Sequence, residues 1–363
     1  MKAQLFKGAL VLGGCLIGII VAELLARLVK PVGGADLLFN APDASPQGLY
    51  VLENGVRVIP ASHFSADVQS LDYKATIRTN ALGLRGPQAD AVTTKQWLAL
   101  GDSFTMAVQV SEEETFAGQL GAQNNVHVWN SGVDGYSTLQ AAMRAQTLQQ
   151  ALPIERLVLM FFTGNDFQDN ERFWAMQKQP LPGPAGAPIP REKVPALQGF
   201  LLRHIHLYAH YRIHQRQKQL ASGQDHSLQN WKDELRIFTT EGRGRLQQLR
   251  QKTTEALKVL RKTAGDRPLT VAIAPPAFVI DTARMAPTFS LVGLDPQQAA
   301  LEAPQKAILE LLVQLKIPHC DLSTALTQGQ QSEPMYFEFD GHWTKAGHRV
   351  VGAELQKCME AQP

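Results

Sequence analysis

Short apolar runs alternate with helix-forming segments along the chain from residue 97 onward. Residues 157–162 are apolar at every position, which is expected of a strand whose two faces are both covered. Strands that alternate with helices predict a mostly parallel sheet with helices on both faces, and therefore an α/β fold. The predicted strands are residues 97–100, 126–129, 157–162, 269–274 and 317–322, and the predicted helices are residues 111–120, 138–152, 305–315 and 347–359.

Two stretches interrupt this alternation. Residues 34–95 show no strong periodicity and are predicted to form a lead-in segment of loops and short strands. Residues 171–262 are predicted to be an insertion that covers the site, because six prolines between 177 and 198 indicate a loop and a long, polar, helical stretch follows. The main domain is therefore expected to span residues 96–363, with the insertion inside it.

The composition excludes two broad classes of protein. Apolar residues make up 44% of the 363 positions, which is enough for a packed core and excludes a wholly disordered chain. The chain carries 35 Lys and Arg against 33 Asp and Glu, a net charge of +2, so a strongly basic nucleic-acid binder is not expected. Residues 1–33 hold four of the basic residues and one acidic residue. The small excess of positive charge therefore belongs to the N-terminus.

The N-terminus has the pattern of a membrane anchor. Residues 8–22 carry no charge, Lys7 precedes them, and Glu23 and Arg27 follow. Counted as residues 5–28, the segment is long enough for a transmembrane helix, since about 20 apolar residues span a bilayer. A cleaved secretory signal and a soluble core helix are the alternatives. As an anchor, the segment predicts a single-pass protein whose later residues lie outside the cytoplasm.

The turns that follow the predicted strands carry side chains suited to acyl transfer. Ser103 follows the first strand, Gly135 the second and Asn165 the third, and the carboxyl ends of parallel strands meet at one edge of a sheet. A serine hydroxyl becomes a nucleophile when a histidine takes its proton and a carboxylate orients that histidine. We therefore expect Ser103, His342 and Asp340 to act as nucleophile, base and orienting carboxylate. The N–H groups of Ser103 and Gly135 and the amide of Asn165 are expected to form an oxyanion hole.

Four blocks of sequence resemble those of the SGNH, or GDSL-type, hydrolases, and they occur in that family's order of Ser, Gly, Asn and His. The blocks are Gly-Asp-Ser-Phe at 101–104, residues 130–135, Gly-Asn-Asp at 164–166 and Asp-Gly-His at 340–342. The resemblance implies a three-layer α/β/α sandwich, ester hydrolysis without a metal or other cofactor, and the site roles given above. Residues 80–86 are similar to those of membrane-anchored bacterial members. The resemblance thus implies a bacterial inner-membrane protein with its catalytic domain facing the periplasm or cell exterior.

Two assignments within the site remain open. Gly132 is the alternative to Gly135 in the oxyanion hole, because both lie in the second block. Many members of the family place the aspartate three residues before the histidine, whereas Asp340 lies two residues before His342. This spacing, followed by Trp, is similar to branches of the superfamily that transfer or hydrolyse polysaccharide acetyl groups. Glu338 or the backbone is therefore the alternative partner that orients the imidazole.

Several other residues with reactive or ionisable side chains are expected to have structural roles. His348 falls within the pattern of the last helix and is expected on that helix's surface. Asp102 and Asp166 are expected to anchor turns. Cys320 and Cys358 are expected to form either a disulfide or two buried thiols. A group of histidines is expected to be a solvated or partly buried helix face and not a metal site; its members are His204, His206, His210 and His214.

The residues and the resemblance together predict a serine esterase or acylhydrolase that works through an acyl-enzyme. The expected substrates are a small acyl group on an envelope polysaccharide, or a lipid ester. An O-acyltransferase that passes an acetyl group to a glycan would use the same residues, and a non-catalytic binding module on the same fold is the other alternative. The expected partners are the ester substrate and the membrane, without nucleic acid, metal or other cofactor.

Overall fold

A computed structural model describes residues 2–29, 46–70, 72–92, 94–189, 196–222 and 226–361. The strands are β1 (Tyr50–Glu53), β2 (Arg57–Pro60), β3 (Ser65–Gln69), β4 (Lys74–Arg78), β5 (Gln96–Leu100), β6 (His127–Asn130), β7 (Ile154–Phe162), β8 (Leu269–Ala274) and β9 (His319–Asp321). The helices are α1 (Lys2–Val29), α2 (Ser103–Met106), α3 (Phe116–Asn124), α4 (Thr138–Ala151), α5 (Asp166–Met176), α6 (Ala196–His204), α7 (His206–Ala221), α8 (His226–Arg236), α9 (Arg243–Ala264), α10 (Ala277–Ile280), α11 (Met285–Leu291), α12 (Ala303–Gln314), α13 (Ser323–Gln330) and α14 (Lys345–Glu360).

Five parallel strands form the central sheet, in the order β6-β5-β7-β8-β9. The strand order reverses direction at β5, because β6 lies on one side of it and β7 on the other. The carboxyl ends of parallel strands flank a crevice at such a point, where ligands commonly bind. The prediction of an α/β fold with a mostly parallel sheet is confirmed.

Helices cover both faces of this sheet. Along β7, Leu157, Leu159 and Phe161 enter one hydrophobic core, while Val158 and Met160 enter the other. This alternation follows from the two-residue period of a strand, and it explains why the whole run is apolar. Helices α4, α5, α9 and α12 pack together on the first face, and α3, α13 and α14 pack together on the second.

Helix α9 belongs to the sandwich itself, although it falls within the range 171–262 that was predicted as an insertion. Its residues Leu249, Leu257 and Leu260 are buried in the core that α4 shares with the sheet. The helix then leads directly into β8, so it is the crossover between β7 and β8. The additional structure that precedes it consists of α6, α7 and α8, which we call the insertion helices.

The lead-in segment, of which 46–70, 72–92 and 94–95 are described, forms two antiparallel hairpins. Strand β1 pairs with β2, and β3 pairs with β4. Leu49, Ile77 and Leu84 are fully buried and join the core that contains α4 and α9. The lead-in segment therefore packs on the main domain, and its short strands pair with each other in two hairpins.

The helix predicted over residues 111–120 is interrupted. Residues Glu112–Glu114 form a single 3₁₀ turn, and α3 starts only at Phe116, where Thr115 accepts a hydrogen bond from the Gly118 N–H. The Ser111–Glu114 capping box is present, but it closes on the 3₁₀ turn. Thr115 is also a favourable N-cap residue, and its extended backbone starts a new helix.

The described residues contain one helix long and apolar enough to cross a membrane. Its apolar part, Leu10–Val29, has a mean hydropathy of 2.1 and is not buried against the rest of the protein. A signal sequence near the N-terminus meets the same criteria of length and composition, so these criteria do not by themselves distinguish an anchor from a signal.

A disulfide joins Cys320 on β9 to Cys358 on α14, with 5.8 Å between the two Cα atoms. This is one of the two alternatives that the sequence left open. The cross-link closes a loop that contains both Asp340 and His342, and it ties that loop to the edge of the sheet.

Candidate active site

Ser103 lies at the start of α2, directly after β5 ends. The turn requires glycine at position 101, where φ is +147° and a Cβ atom would lie 2.4 Å from Thr105 Oγ1. Asp102 then accepts a hydrogen bond from the Phe104 N–H at 2.9 Å and so caps the short helix. The turn therefore holds the serine at the carboxyl edge of the sheet.

His342 connects Ser103 to Asp340. Its Nε2 atom lies 2.7 Å from Ser103 Oγ, and its Nδ1 atom lies 2.6 Å from Asp340 Oδ1. The same carboxylate oxygen accepts the His342 backbone N–H at 3.1 Å. The two-residue spacing thus lets one carboxylate oxygen hold both the ring and the backbone of the histidine. Of the alternatives, the structure places Asp340, and not Glu338, on the imidazole.

The lead-in segment supports Asp340 from the other side. Tyr73 donates its hydroxyl hydrogen to Asp340 Oδ2 at 3.1 Å. Gln109, which follows α2 and lies outside the lead-in segment, has its Nε2 atom 3.4 Å from the same oxygen. Asp72 accepts the backbone N–H groups of Phe339 and Asp340, at 2.6 and 3.2 Å. Sequence reasoning missed Tyr73 and Asp72, because nothing in the lead-in segment indicates contact with a loop about 270 residues away.

The lead-in segment also supports the end of α2. Arg85 is buried, and its guanidinium donates to the carbonyl oxygens of Met106, Ala107 and Val110. Its Nε atom lies 3.0 Å from Glu112. The last carbonyls of a helix have no partner within it, so Arg85 satisfies those of Met106 and Ala107, and its bond to Val110 fixes the segment that follows the helix. Arg85 lies within residues 80–86, whose resemblance to membrane-anchored members of the family was the sequence feature that pointed to this segment.

The candidate oxyanion donors differ in their existing hydrogen bonds and in their exposure. Ser103 is the first residue of α2, where a backbone N–H has no acceptor within the helix. Asn165, the residue before α5, makes no capping hydrogen bond, and its side-chain oxygen has no hydrogen-bond partner among the described residues. Gly132 donates its N–H to Asn130 Oδ1, and a Cβ there would lie 2.1 Å from Met106 N, so its glycine serves close packing. Gly135 has φ of +70° and is exposed.

The histidine and the aspartate shift each other's pKa. Burial alone would lower the pKa of His342, but the charge and hydrogen bond of Asp340, with Asp102 adding to them, raise it to about 8. Burial would raise the pKa of Asp340, yet His342 and the hydrogen bond from Gln109 hold it below its usual value. Below about pH 8 the resting pair is therefore imidazolium with carboxylate.

Two further aspartates are buried beside the site and anchor turns, as the sequence predicted. Asp102 accepts the Phe104 N–H, and Asp166 accepts the Phe162 N–H at 3.0 Å. Burial raises the pKa of Asp102 to about 6. Burial, together with the charge of Asp102, raises the pKa of Asp166 well above its usual value. Burial thus disfavours the charged form of Asp166.

His348 is buried, and the expectation that it lies on the surface of the last helix is wrong. Its Nδ1 atom accepts the Phe116 N–H at 3.2 Å, and burial lowers its pKa to about 3. It therefore acts as a neutral acceptor between α14 and α3. Within the described residues, the metal-ligating side chains form no cluster of three or more that could hold an ion.

A cavity of about 180 Å³ opens beside Ser103 and His342. The insertion helix α8 contributes Trp231, Glu234 and Leu235 to its wall, while Arg284 and Glu338 add polar groups. Most of the wall is apolar, so the cavity suits a hydrocarbon group. Its apolar side chains are Phe104, Phe162, Trp231, Leu235, Pro276, Ala277 and Phe278.

The chain is similar to one known protein family and to several solved structures. The model of the GDSL-like lipase/acylhydrolase family matches residues 99–350. A member of the lipolytic G-D-S-L family from Veillonella parvula is 12% identical, with a TM-score of 0.40, and the alignment covers 74% of this chain and 100% of that one. A GDSL-like lipase from Bacteroides thetaiotaomicron is 13% identical, with a TM-score of 0.35 and coverage of 74% and 89%.

A comparison with curated proteins gives no match. The family model, however, spans well over half of the chain and includes both Ser103 and His342. The chain therefore belongs to the GDSL-like lipase/acylhydrolase family and is a hydrolase that acts on ester bonds.

Proposed function

We propose that the protein is a serine esterase in which Ser103 is the nucleophile, His342 the general base and Asp340 the carboxylate that orients it. The observation that carries this proposal is the continuous hydrogen-bonded chain from Ser103 Oγ through both ring nitrogens of His342 to Asp340. The link to Ser103 is within the range at which a base takes a hydroxyl proton, and the link to Asp340 is short enough to orient the imidazole. Tyr73 and Asp72 act as positioning residues, because they hold Asp340 without reaching Ser103.

In the first half of the reaction, Ser103 Oγ attacks the ester carbonyl carbon and gives its proton to His342 Nε2. The carbonyl oxygen becomes an oxyanion, which the N–H groups of Ser103 and Gly135 and the Asn165 amide stabilise. When the intermediate collapses, His342 returns the proton to the leaving alcohol. Water then attacks the acyl-Ser103 ester by the same steps, and the acid is released.

The wall of the cavity supports an apolar acyl group. An apolar cavity of about 150 Å³ in an engineered protein is large enough to bind benzene. The cavity beside Ser103, at about 180 Å³, is of that scale. We therefore propose an ester whose acyl part has about six carbons, as in a lipid ester, in preference to an acetyl group on a polysaccharide.

The proposed location is the bacterial inner membrane, with α1 as a single-pass anchor and the catalytic domain facing the periplasm or the cell exterior. The apolar run Leu10–Val29 supports the anchor. The Cys320–Cys358 disulfide supports the orientation, because disulfides persist in oxidising compartments and are rare in the cytosol.

The nucleophile is tested by labelling the full-length protein with a fluorophosphonate probe. We expect the wild type and Ser290→Ala, an exposed serine variant on α11, to be labelled, and Ser103→Ala to stay unlabelled. Equal labelling of Ser103→Ala and wild type would contradict the assignment. A series of p-nitrophenyl esters then tests the acyl group, with kcat/KM expected to peak near six carbons. Product that forms only when an acceptor glycan is added would identify a transferase instead.

A further inference from the structure

The C-terminal part of α1 is attached to the junction between α6 and α7. The Glu23 carboxylate accepts the backbone N–H groups of His206 and Leu207 at 2.8 and 2.9 Å, and Arg27 donates to the carbonyl oxygen of His204. Glu23 lies inside the apolar run Leu10–Val29. It precedes the end of that run by about 9 Å along the helix axis. Helices α6 and α7 are therefore held at the level where α1 is still apolar.

Helices α6 and α7, which we call the interfacial pair, expose large apolar side chains. Leu197 and Phe200 on α6 are 68% and 56% exposed, and Tyr211 on α7 is 55% exposed. Outside α1, the only other exposed large apolar residues in the described part of the chain are Met176 and Val313. Exposed apolar side chains that concentrate on one short element indicate a surface that is covered in use.

The charge of the interfacial pair points to the covering surface. Residues 196–221 contain no Asp or Glu, but they contain Arg203, Arg212, Arg216 and Lys218 together with four histidines. An amphipathic element with apolar residues and an excess of basic residues binds the headgroup region of an anionic bilayer. A protein partner would need no such one-sided charge.

We propose that the interfacial pair lies in the surface of the same anionic bilayer that α1 spans. The pair also contacts the candidate site, because Leu202 and Ala209 pack against Phe339, the residue before Asp340. The loop that carries Asp340 and His342 is thereby placed next to the bilayer. Resting on the proposed esterase function, this arrangement assigns the substrate class as an ester that resides in the membrane.

The docking itself is tested with the full-length protein in vesicles of phosphatidylcholine and phosphatidylglycerol that carry a nitroxide-labelled lipid. An environment-sensitive fluorophore is attached at native Cys15, or at Leu197→Cys, Phe200→Cys or Val313→Cys, each in a Cys15→Ser background. We expect the nitroxide lipid to quench the fluorophore at positions 15, 197 and 200 and to leave position 313 bright, since Val313 lies on α12, apart from the pair.

Each other pattern would overturn the proposal. Quenching at 15 without quenching at 197 and 200 would show that the pair does not enter the bilayer. Loss of quenching at 15 would show that α1 is not inserted, and equal quenching at 313 would show that the contact is not specific to the pair. Quenching that persists in vesicles of pure phosphatidylcholine would remove the role of the anionic headgroup.

The consequence for the substrate is tested with the double variant Leu197→Glu/Phe200→Glu and the control Val313→Glu. We expect the double variant to lose at least about tenfold in kcat/KM on an ester embedded in vesicles, because two apolar contacts with the bilayer are lost. Its kcat/KM on a soluble ester in detergent should match that of the wild type. An equal loss on both esters would refute interfacial docking, whereas a wild type inactive on both would refute the esterase proposal and leave the quenching result intact.

Discussion

The lead-in segment and the insertion helices both reach the candidate site, but they do so with opposite chemistry. From the lead-in segment, Tyr73 and Arg85 make hydrogen bonds, largely buried, to the groups next to the reacting atoms. From the insertion helices, Trp231 and Leu235 give the cavity an apolar wall. The first region therefore sets the geometry of the reacting groups, whereas the second sets which acyl group reaches them.

The largest expected effect comes from Arg85→Met. Removing one partner of a buried ion pair costs about 3–5 kcal/mol, because the other partner stays buried without compensation. Here Glu112 and three carbonyl groups would lose their partner. We expect denaturant unfolding to show a loss of this size, and Arg78→Met, an exposed change on β4, to show little change. A stability of Arg85→Met equal to that of the wild type would contradict the supporting role of the lead-in segment.

Tyr73→Phe is expected to slow the reaction while the fold remains intact. A hydrogen bond to a charged group contributes about 1.5–3 kcal/mol, so kcat should fall by roughly 10- to 100-fold. The carboxylate of Asp340, with one donor fewer, should also raise the pKa of His342 and move the rise of kcat/KM to higher pH. Thr76→Val is the matched control, since it removes a hydroxyl that bonds Asp67 in the same hairpin. An unchanged kcat in Tyr73→Phe would argue against positioning.

The pH dependence of kcat/KM tests the pKa of His342. His342 must be neutral to accept the serine proton, and Asp340 raises the pKa of its imidazole to about 8. Below pH 8 we therefore expect kcat/KM to fall about tenfold for each pH unit. Asp340→Asn should move the midpoint to lower pH and lower the plateau. His348 cannot produce this midpoint, because its pKa is lowered to about 3.

The smallest and most selective effect is expected from Trp231→Ala in the insertion helices. Loss of this wall should reduce kcat/KM for a hexanoyl ester by about 10-fold, since a few apolar contacts are worth about 1–3 kcal/mol. The acetyl ester, which is too short to reach the wall, should be affected much less. Trp174→Ala on α5 removes a tryptophan that is not part of the cavity wall. Equal losses for both esters would mean that α8 supports the site and does not select the acyl group.

The strands and the residues after them could be predicted, because each depends on local sequence. The apolar run at 157–162 needs only its own composition to indicate a buried strand, and the blocks around Ser103 and His342 are short. Tyr73 could not be predicted, since its role depends on a partner 267 residues later. Helix α9 was grouped with the insertion because it follows the proline-rich loop within one long, polar, helical stretch. The leucines on one of its faces predict a buried side but not the element that covers it, so only packing shows that the helix belongs to the sandwich.

Ser103 and His342 are 239 residues apart in the chain. Contacts between such distant segments form late in folding, because loop-closure entropy has to be overcome first. A ribosome-bound chain that has not yet released residue 342 can contain a finished serine turn without its base. On the proposed mechanism, ester cleavage is therefore withheld until residue 342 has been synthesised and has packed against the serine turn.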